Sequence, residues 1–429
     1  MTDQTQRPSA DLTGDVTASE VAADIADERL IRSQGPLGLA RAGLNRLRGG
    51  DLGLLPVIVG LIVICTVFYL KEPAFLSSRS LVTLTQFAAP TGVIALGIVL
   101  VLLLGEIDLS VGSVAGFTSA VMAVMVVNHG QPTVVAILAA LGTGLLIGLG
   151  YAFLHQVIGV PSFVFSLAGF LAFQGALLYT LGSKGTITLP QGNWLREFAR
   201  DRFLTDVQAY VLVALGVVVY LGTQLWTIRR RKAAGLTPPS LAVVIVKAVV
   251  MAGGLGYFCY YLSIGNARGV GYLFALFVVL VVVMDLLLRR TTWGRHVMAV
   301  GGNEEAARRA GIRVGWIYVS VFGLCSTFAA LGGLLLAGQL TTVSQSSGTT
   351  DTNLTAIAAA VIGGTSLFGG RGTAYAALLG MLVLQAITAG LNLINVESEV
   401  RFMVTGGVLL LAVAIDSVSR RARSSSGRG

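Results

Sequence analysis

The sequence predicts an all-α fold, a polytopic transmembrane helical bundle of about 10–12 spans with broken or re-entrant helices among them. Three observations lead there. Of the 429 residues, 54% are hydrophobic and only 12% charged, with a mean hydropathy of +0.79 that no soluble globular domain of this size would show. Apolar runs of spanning length recur along the chain. The basic residues cluster beside those runs, so the net charge of +9 reflects orientation in a lipid bilayer rather than nucleic-acid binding.

Residues 1–50 read as a cytoplasmic tail with no signal-peptide h-region, whose first thirty residues are acidic and polar, rich in Asp, Ala and Thr, with too little apolar surface to fold. Its end, GLARAGLNRLRGG (37–49), reads either as an interfacial helix or as the positive flank of the first span. The transmembrane domain covers 51–418, and 419–429 form a basic cytoplasmic tail. Within the domain, apolar segments lie at about 54–70, 84–104, 110–128, 133–154, 159–181, 208–227, 240–263, 270–288, 316–338, 354–368, 373–393 and 402–417. With both termini cytoplasmic, alternation places Arg229–Lys232, the island Arg289–Val314, Arg371 and Arg420–Arg428 inside. The outer connections are then 71–83, 182–207, 264–269, 340–353 and Glu397–Glu399. Two segments are candidates for breaks: 354–368 is short and runs into Gly363, Gly364, Gly369, Gly370 and Gly372, and 84–104 ends in GEIDLSVGS.

The island at 289–314 contains the signals of a whole short helix. Asn303 is an N-cap, Glu304 and Glu305 occupy the first turn, Arg308 and Arg309 follow four residues later, and Gly311 ends it. A helix this short is unstable alone and needs a surface to lie against. In a membrane protein, that marks an element acted on by a soluble partner.

Glu106 and Asp108 are the close pair of carboxylates in an apolar region. Two readings are open. Gly105 ends one helix and Asp108 or Ser110 caps the next, or the acids act directly on a substrate or a proton. Gln86, Gln174, Gln339, Asn353, Gln385 and Asn392 are amides that serve either as interhelical hydrogen-bond partners or as the uncharged lining of a sugar path. His155 reads as a satisfied residue near a span's end. Cys65, Cys259 and Cys325 lie in apolar spans and make no disulfide framework. The chain has no phosphate-binding G-x-x-x-x-G-K-[ST] loop, no metal-ligand spacing and no catalytic triad. Transport or scaffolding remains.

Five motifs then narrow the choice: GEIDLSVGS (105–113), VPSFVFSLAGFLAFQG (160–175), AVGGNEEAARRAGI (299–312), AAVIGGTSLFGGRGT (359–373) and LLLAVAIDS (409–417). Together they resemble the membrane permease subunits of bacterial ABC sugar importers of the ribose/xylose/galactose group. The extra pair of spans at 208–263 is most similar to the xylose branch. The resemblance implies a permease of the bacterial inner membrane that moves a monosaccharide, D-xylose first, and works as a homodimer. It implies an ATP-binding subunit, usually a fused double ATPase, that carries ATP and Mg, so that this chain holds no cofactor and is not an enzyme. It also implies an extracytoplasmic sugar-binding protein. The family's coupling region carries over onto Gly301, Gly302, Asn303, Glu304, Ala306, Ala307, Arg308, Gly311 and Ile312. Its acidic motif falls on Glu106, Asp108, Ser110, Gly112 and Ser113, and its glycine motif on Gly363, Gly364, Thr365, Ser366, Gly369, Gly370 and Gly372. Candidates for the translocation path or gate are Glu106, Asp108, Ser110, Gln86, Gln174, Asn392, Gly363 and Gly364. The alternative is an ion-coupled secondary sugar transporter with Glu106 and Asp108 as its coupling carboxylates.

Overall fold

A computed structural model describes residues 55–234, 238–265, 267–348, 350–401, 403–408, 410–411 and 414. Its helices run in chain order α1 (Leu55–Lys71), α2 (Ser78–Leu103), α3 (Val111–Val127), α4 (Thr133–Phe153), α5 (Ser162–Leu181), α6 (Asp206–Ala233) and α7 (Leu241–Ser263). They continue with α8 (Tyr272–Arg290), α9 (Thr292–Gly302), α10 (Glu304–Arg309), α11 (Val314–Leu340), α12 (Thr350–Ile362) and α13 (Tyr375–Leu393). Among the described residues, α2, α4, α5, α6, α7, α8, α11 and α13 are long and apolar enough to cross a membrane. The expected helical bundle is therefore present. The tails 1–50 and 419–429 lie outside the described residues, and the last apolar segment, 402–417, is helical over 403–408 and runs beyond them.

α2 is the axle of the bundle. It packs on α11, α13, α12 and α8, and its residues from Ala88 to Leu103 are all buried except the half-buried Thr91. α11 lies across α2, α3 and α4, and small residues set the close approach. A Cβ on Gly148 of α4 would stand 2.3 Å from the Phe322 carbonyl oxygen, and one on Gly333 of α11 2.1 Å from that of Ala115. In a bilayer, where lipid is as apolar as leucine, such close van der Waals packing holds helices together. By contrast α6 and α7 pack mainly on each other and expose most of their apolar side chains.

α2 begins earlier than the apolar run at 84 suggests. Ser77 caps it by accepting from Ser80 N, and the hydroxyls of Thr83 and Thr85 donate to the carbonyls of Arg79 and Val82 within the helix. At the far end of α8, Arg289 pairs with Asp285 at 2.9 Å, and Arg290 donates to Thr227 of α6 at 2.8 Å. The Arg229–Lys232 cluster and the 289–314 island thus share one end of the bundle, as their charge predicts. Arg230 also lies over the Trp226 ring at 4.2 Å.

Two elements are half-helices. Gly97 of α2 packs on Cys325 of α11, and Asp108 accepts from the same cysteine thiol at 3.9 Å. Asp108 is therefore level with Gly97 although α2 continues to Leu103. Residues 104–110 climb back into the bundle, and α3 starts part-way through it. α12 mirrors this from the other end. The segment after α11 pairs β2 (Thr342–Ser344) with β1 (Thr186–Thr188), antiparallel with Ile187 opposite Val343, and then turns inward. Gly348 meets Gly112 of α3 there, backbone against backbone. The expectation of 340–353 as an outer loop is thus corrected: part of it is buried on α3. The segment 354–368 is no simple span either. α12 has 13 residues, about 20 Å of helix, short of the roughly 30 Å of a hydrocarbon core.

Candidate functional site

At the island end of the bundle three separate glycine motifs converge. Gly105, in the left-handed region at φ 82°, ends α2. The Gly370 N–H donates to the Leu103 carbonyl at 2.9 Å. A Cβ on Gly301 would stand 1.7 Å from that same Leu103 oxygen, and one on Gly369 would stand 2.5 Å from the Gly301 oxygen and 2.9 Å from Gly105 N. Only hydrogens fit here. The end of α2, the end of α9 and the 363–372 turn therefore meet as bare peptide groups. Gly363 makes a similar approach to the Ala376 carbonyl, which ties the end of α12 to α13.

α9 and α10 form a hairpin on this junction. Thr291 caps α9 by accepting from Gly294 N, and Trp293 Nε1 donates to Ser320 of α11 at 2.8 Å. Asn303 caps α10, its Oδ1 accepting from Ala306 N at 2.8 Å. Arg308 meets Glu304 at 2.6 Å and Arg309 meets Glu305 at 3.1 Å, the i,i+4 pairs expected from the spacing. Gly311 follows at φ 82°. Ala307 is the buried residue of α10, Glu304 is half-buried, and Glu305, Ala306, Arg308 and Arg309 face outward. The hairpin is anchored on one side and presents a charged face on the other.

The acidic motif divides. Asp108, 1% exposed, accepts from Ser110 N at 2.8 Å, Ser110 Oγ at 2.7 Å and Cys325 Sγ at 3.9 Å; Tyr151 donates to Ser110 Oγ at 2.8 Å. Glu106 points elsewhere, 3.7 Å from His155 Nε2. The two carboxylates share no site. The cap expected from Asp108 or Ser110 is also corrected, because Ser110 makes no side-chain cap bond. In the first turn of α3 the Gly112 N–H is met by Asn353 of α12, whose Oδ1 accepts from it at 3.0 Å and whose Nδ2 donates to the Leu109 carbonyl. Asp108 instead ties its own loop together. Asp108→Asn keeps the acceptor and is expected to leave the melting temperature in detergent within a few degrees of wild type. Asp108→Leu strands the Ser110 N–H, a cost of about 1–3 kcal/mol, and is expected to lower it clearly. An Asn variant that is stable yet inactive in transport would give the charge a direct role.

The remaining path candidates scatter. Gln86 lines a cavity of about 660 Å³ at the opposite end, with Arg79, Thr83, Phe203, Arg268 and Gln339. Gln86 and Gln339 are buried, and neither Oε1 has a hydrogen-bond partner among the described residues. Gln174 is half-buried on α5 outside this cavity, and Asn392 is exposed and accepts from Arg401. Gly364 lies in the turn of the junction at φ 97°.

Residues 80–413 match the family described as branched-chain amino acid transport system / permease component. The chain belongs to this permease family. Among curated relatives, the xylose transport system permease protein of Escherichia coli (strain K12) is 34% identical over 384 residues, 88% of this chain and 95% of its own. That of Haemophilus influenzae is 32% identical over 381 residues, 88% and 99% of the two chains. The ribose import permease protein of Bacillus subtilis is 29% identical over 375 residues, 86% and 94%. No solved structure matches. The chain is thus the permease component of an ABC sugar transporter, and its family and apolar helices imply a multi-pass protein of the inner membrane. The same family implies an ATPase and a substrate-binding protein as partners.

Two features of the permease escape a reading of its sequence. His155 looks solitary because its partner Glu106 stands in another motif. Tyr318, which donates to Glu304 at 3.2 Å, looks like one more aromatic in an apolar span. A signal existed only in combination: each lies near the end of a span whose end the charge pattern places beside the island.

Proposed function

We propose that this permease moves a monosaccharide into the cell, with D-xylose the first candidate because the xylose permeases are its most similar relatives named above. It works as a homodimer, with both termini in the cytoplasm. A fused double ATPase docks on α9 and α10 and holds the ATP and Mg, and this chain carries no cofactor. A secreted sugar-binding protein delivers the sugar at the opposite end, where the Gln86 and Gln339 cavity opens. The coupling residues are Gly301, Gly302, Asn303, Glu304, Ala306, Ala307, Arg308 and Gly311.

One observation supports the reading most: α10 turns Ala307 and Glu304 inward, on α9 and α11, and leaves its other charges facing outward. A six-residue helix is far below the roughly 12–15 residues that are marginal in isolation, so its fixed form reflects docking on α11 from one side and room for a partner on the other. ATP then acts by binding one arrangement of the partner better than the other. The ion-coupled alternative needs Glu106 and Asp108 to act together, and their separate partners favour the ATP-driven reading.

In proteoliposomes with the permease, the ATPase subunit and the binding protein, D-xylose uptake is expected to require ATP, to stop without the ATPase, and to survive an uncoupler. Uptake that persists without the ATPase and collapses with the uncoupler would overturn the reading. Titration of the binding protein with D-xylose and D-ribose decides the sugar.

A further inference from the structure

One phenol faces two carboxylates. Tyr318, near the start of α11, donates to Glu304 Oε2 at 3.2 Å, and its ring lies 4.6 Å from that of His155, whose Nε2 is 3.7 Å from Glu106, so that its hydroxyl also faces the carboxylate of Glu106. A tyrosine has a single O–H proton and can serve one acceptor at a time. Each carboxylate also has a partner of its own. Arg308 meets Glu304 at 2.6 Å, and His155 Nε2 lies 3.7 Å from Glu106. The phenol is therefore the link between two otherwise separate pairs, one on the docking helix and one at the break between α2 and α3.

The surroundings hold the ring and leave the hydroxyl free to turn. His155 stacks 4.6 Å from the Tyr318 ring, and Phe322 lies 6.3 Å from it, nearly parallel. The imidazole is fixed in turn: its Nδ1 is 3.2 Å from the Val160 carbonyl, and Phe165 and Phe322 flank it at 6.3 and 6.0 Å. Glu304 sits on the short helix α10, whereas Glu106 belongs to the loop that carries Asp108 and leads into the half-helix α3. Energetic coupling between distant sites needs an element with two discrete arrangements. A single donor between two anions is such an element.

We infer that Tyr318 is a positioning residue that couples α10 to the break at 105–110. Its O–H bonds Glu304 while α10 lies against α11, and turns to Glu106 when the ATPase subunit draws α10 away. The Glu106 loop then gains a donor, and movement of the docking helix reaches the start of α3 without any movement of the Tyr318 ring. This rests on the reading of α10 as the ATPase docking element.

The test uses the complete transporter in proteoliposomes and reads sugar taken up per ATP hydrolysed, with D-xylose as the probe, or D-ribose where the wild type prefers it. Tyr318→Phe keeps the ring and removes the hydroxyl. Hydrolysis stimulated by the loaded binding protein is expected to continue, while uptake per ATP falls about tenfold, within the range of typical allosteric couplings. Glu106→Ala, which leaves no acceptor, should show a similar fall, and the double variant should fall no further than either single, because both remove the same link. A wild-type ratio in Tyr318→Phe, or losses that multiply in the double variant, would overturn the inference. Should Tyr318→Phe fail to assemble, Glu106→Ala alone decides by the same ratio: a fall supports the link and a wild-type ratio removes it. Wild-type uptake without the ATPase would strike at the docking reading itself, and so at both.

Discussion

Gly301→Ala is expected to cost the permease its assembly. The added carbon would lie 1.7 Å from the Leu103 carbonyl oxygen and 2.9 Å from Gly370 N, so the end of α9 must withdraw from both α2 and the glycine turn. Overpacking a core typically costs about 1–3 kcal/mol when side chains can rotate aside. Here the obstacles are peptide groups, which cannot, and the Gly370 N–H to Leu103 bond lies in the path. The loss should reach the top of that range or beyond, a large share of the roughly 5–15 kcal/mol that keeps a typical protein folded. Yield of monodisperse protein in detergent, melting temperature and uptake should fall together. Gly302→Ala is the control, because nothing lies within 4 Å of a Cβ there. It should keep wild-type stability and test docking alone. Gly301→Ala with unchanged stability and uptake would show that the junction does not fix α9.

Signals confined to one turn of chain were readable, and signals that cross between motifs were not. α10 was legible because its cap, charge pairs and terminator lie between Asn303 and Gly311 and act on neighbours three or four residues away. The common end of Arg229–Lys232 and the 289–314 island was legible too, since lipid imposes it on both. The start of α2 was not, because Ser78, Ser80, Thr83 and Thr85 look like a loop to a hydropathy scan, although in a helix threonine can return its hydroxyl to its own backbone. The extent of α12 was hidden for the opposite reason. Leu367 and Phe368 prolong the apolar run past Ile362, but the chain there is a turn whose peptide groups are met by α2 and α9. That Glu106 and Asp108 share no site was legible from their spacing, but their partners were not, because non-helical backbone between them sends one to His155 and the other to Ser110 and Cys325.

Asn353→Leu tests the other place where separate segments are joined, and its effect should rival that of Gly301→Ala. Asn353 is 5% exposed and satisfies two backbone groups of the neighbouring half-helix, the Gly112 N–H and the Leu109 carbonyl. Leucine has the same branched heavy-atom skeleton, is bulkier, and has neither polar atom. Both groups would then be unpaired inside a bundle with no water at hand, at a cost of several kcal/mol each in an apolar medium. The variant should be recovered poorly, melt well below wild type and take up no sugar. Asn353→Asp separates the two bonds. It keeps an acceptor for Gly112 but sets a second oxygen against the Leu109 carbonyl, so an intermediate melting temperature is expected. The consequence reaches the docking face through the chain itself. α12 begins at this clamp and ends at Gly363, where the turn to the glycine junction starts, so α12 links the clamp that holds α3 to the junction that holds α9. A leucine variant with wild-type stability that still transports would mean the half-helices stay together without the clamp, and that α12 is held by its packing on α2 and α13 alone.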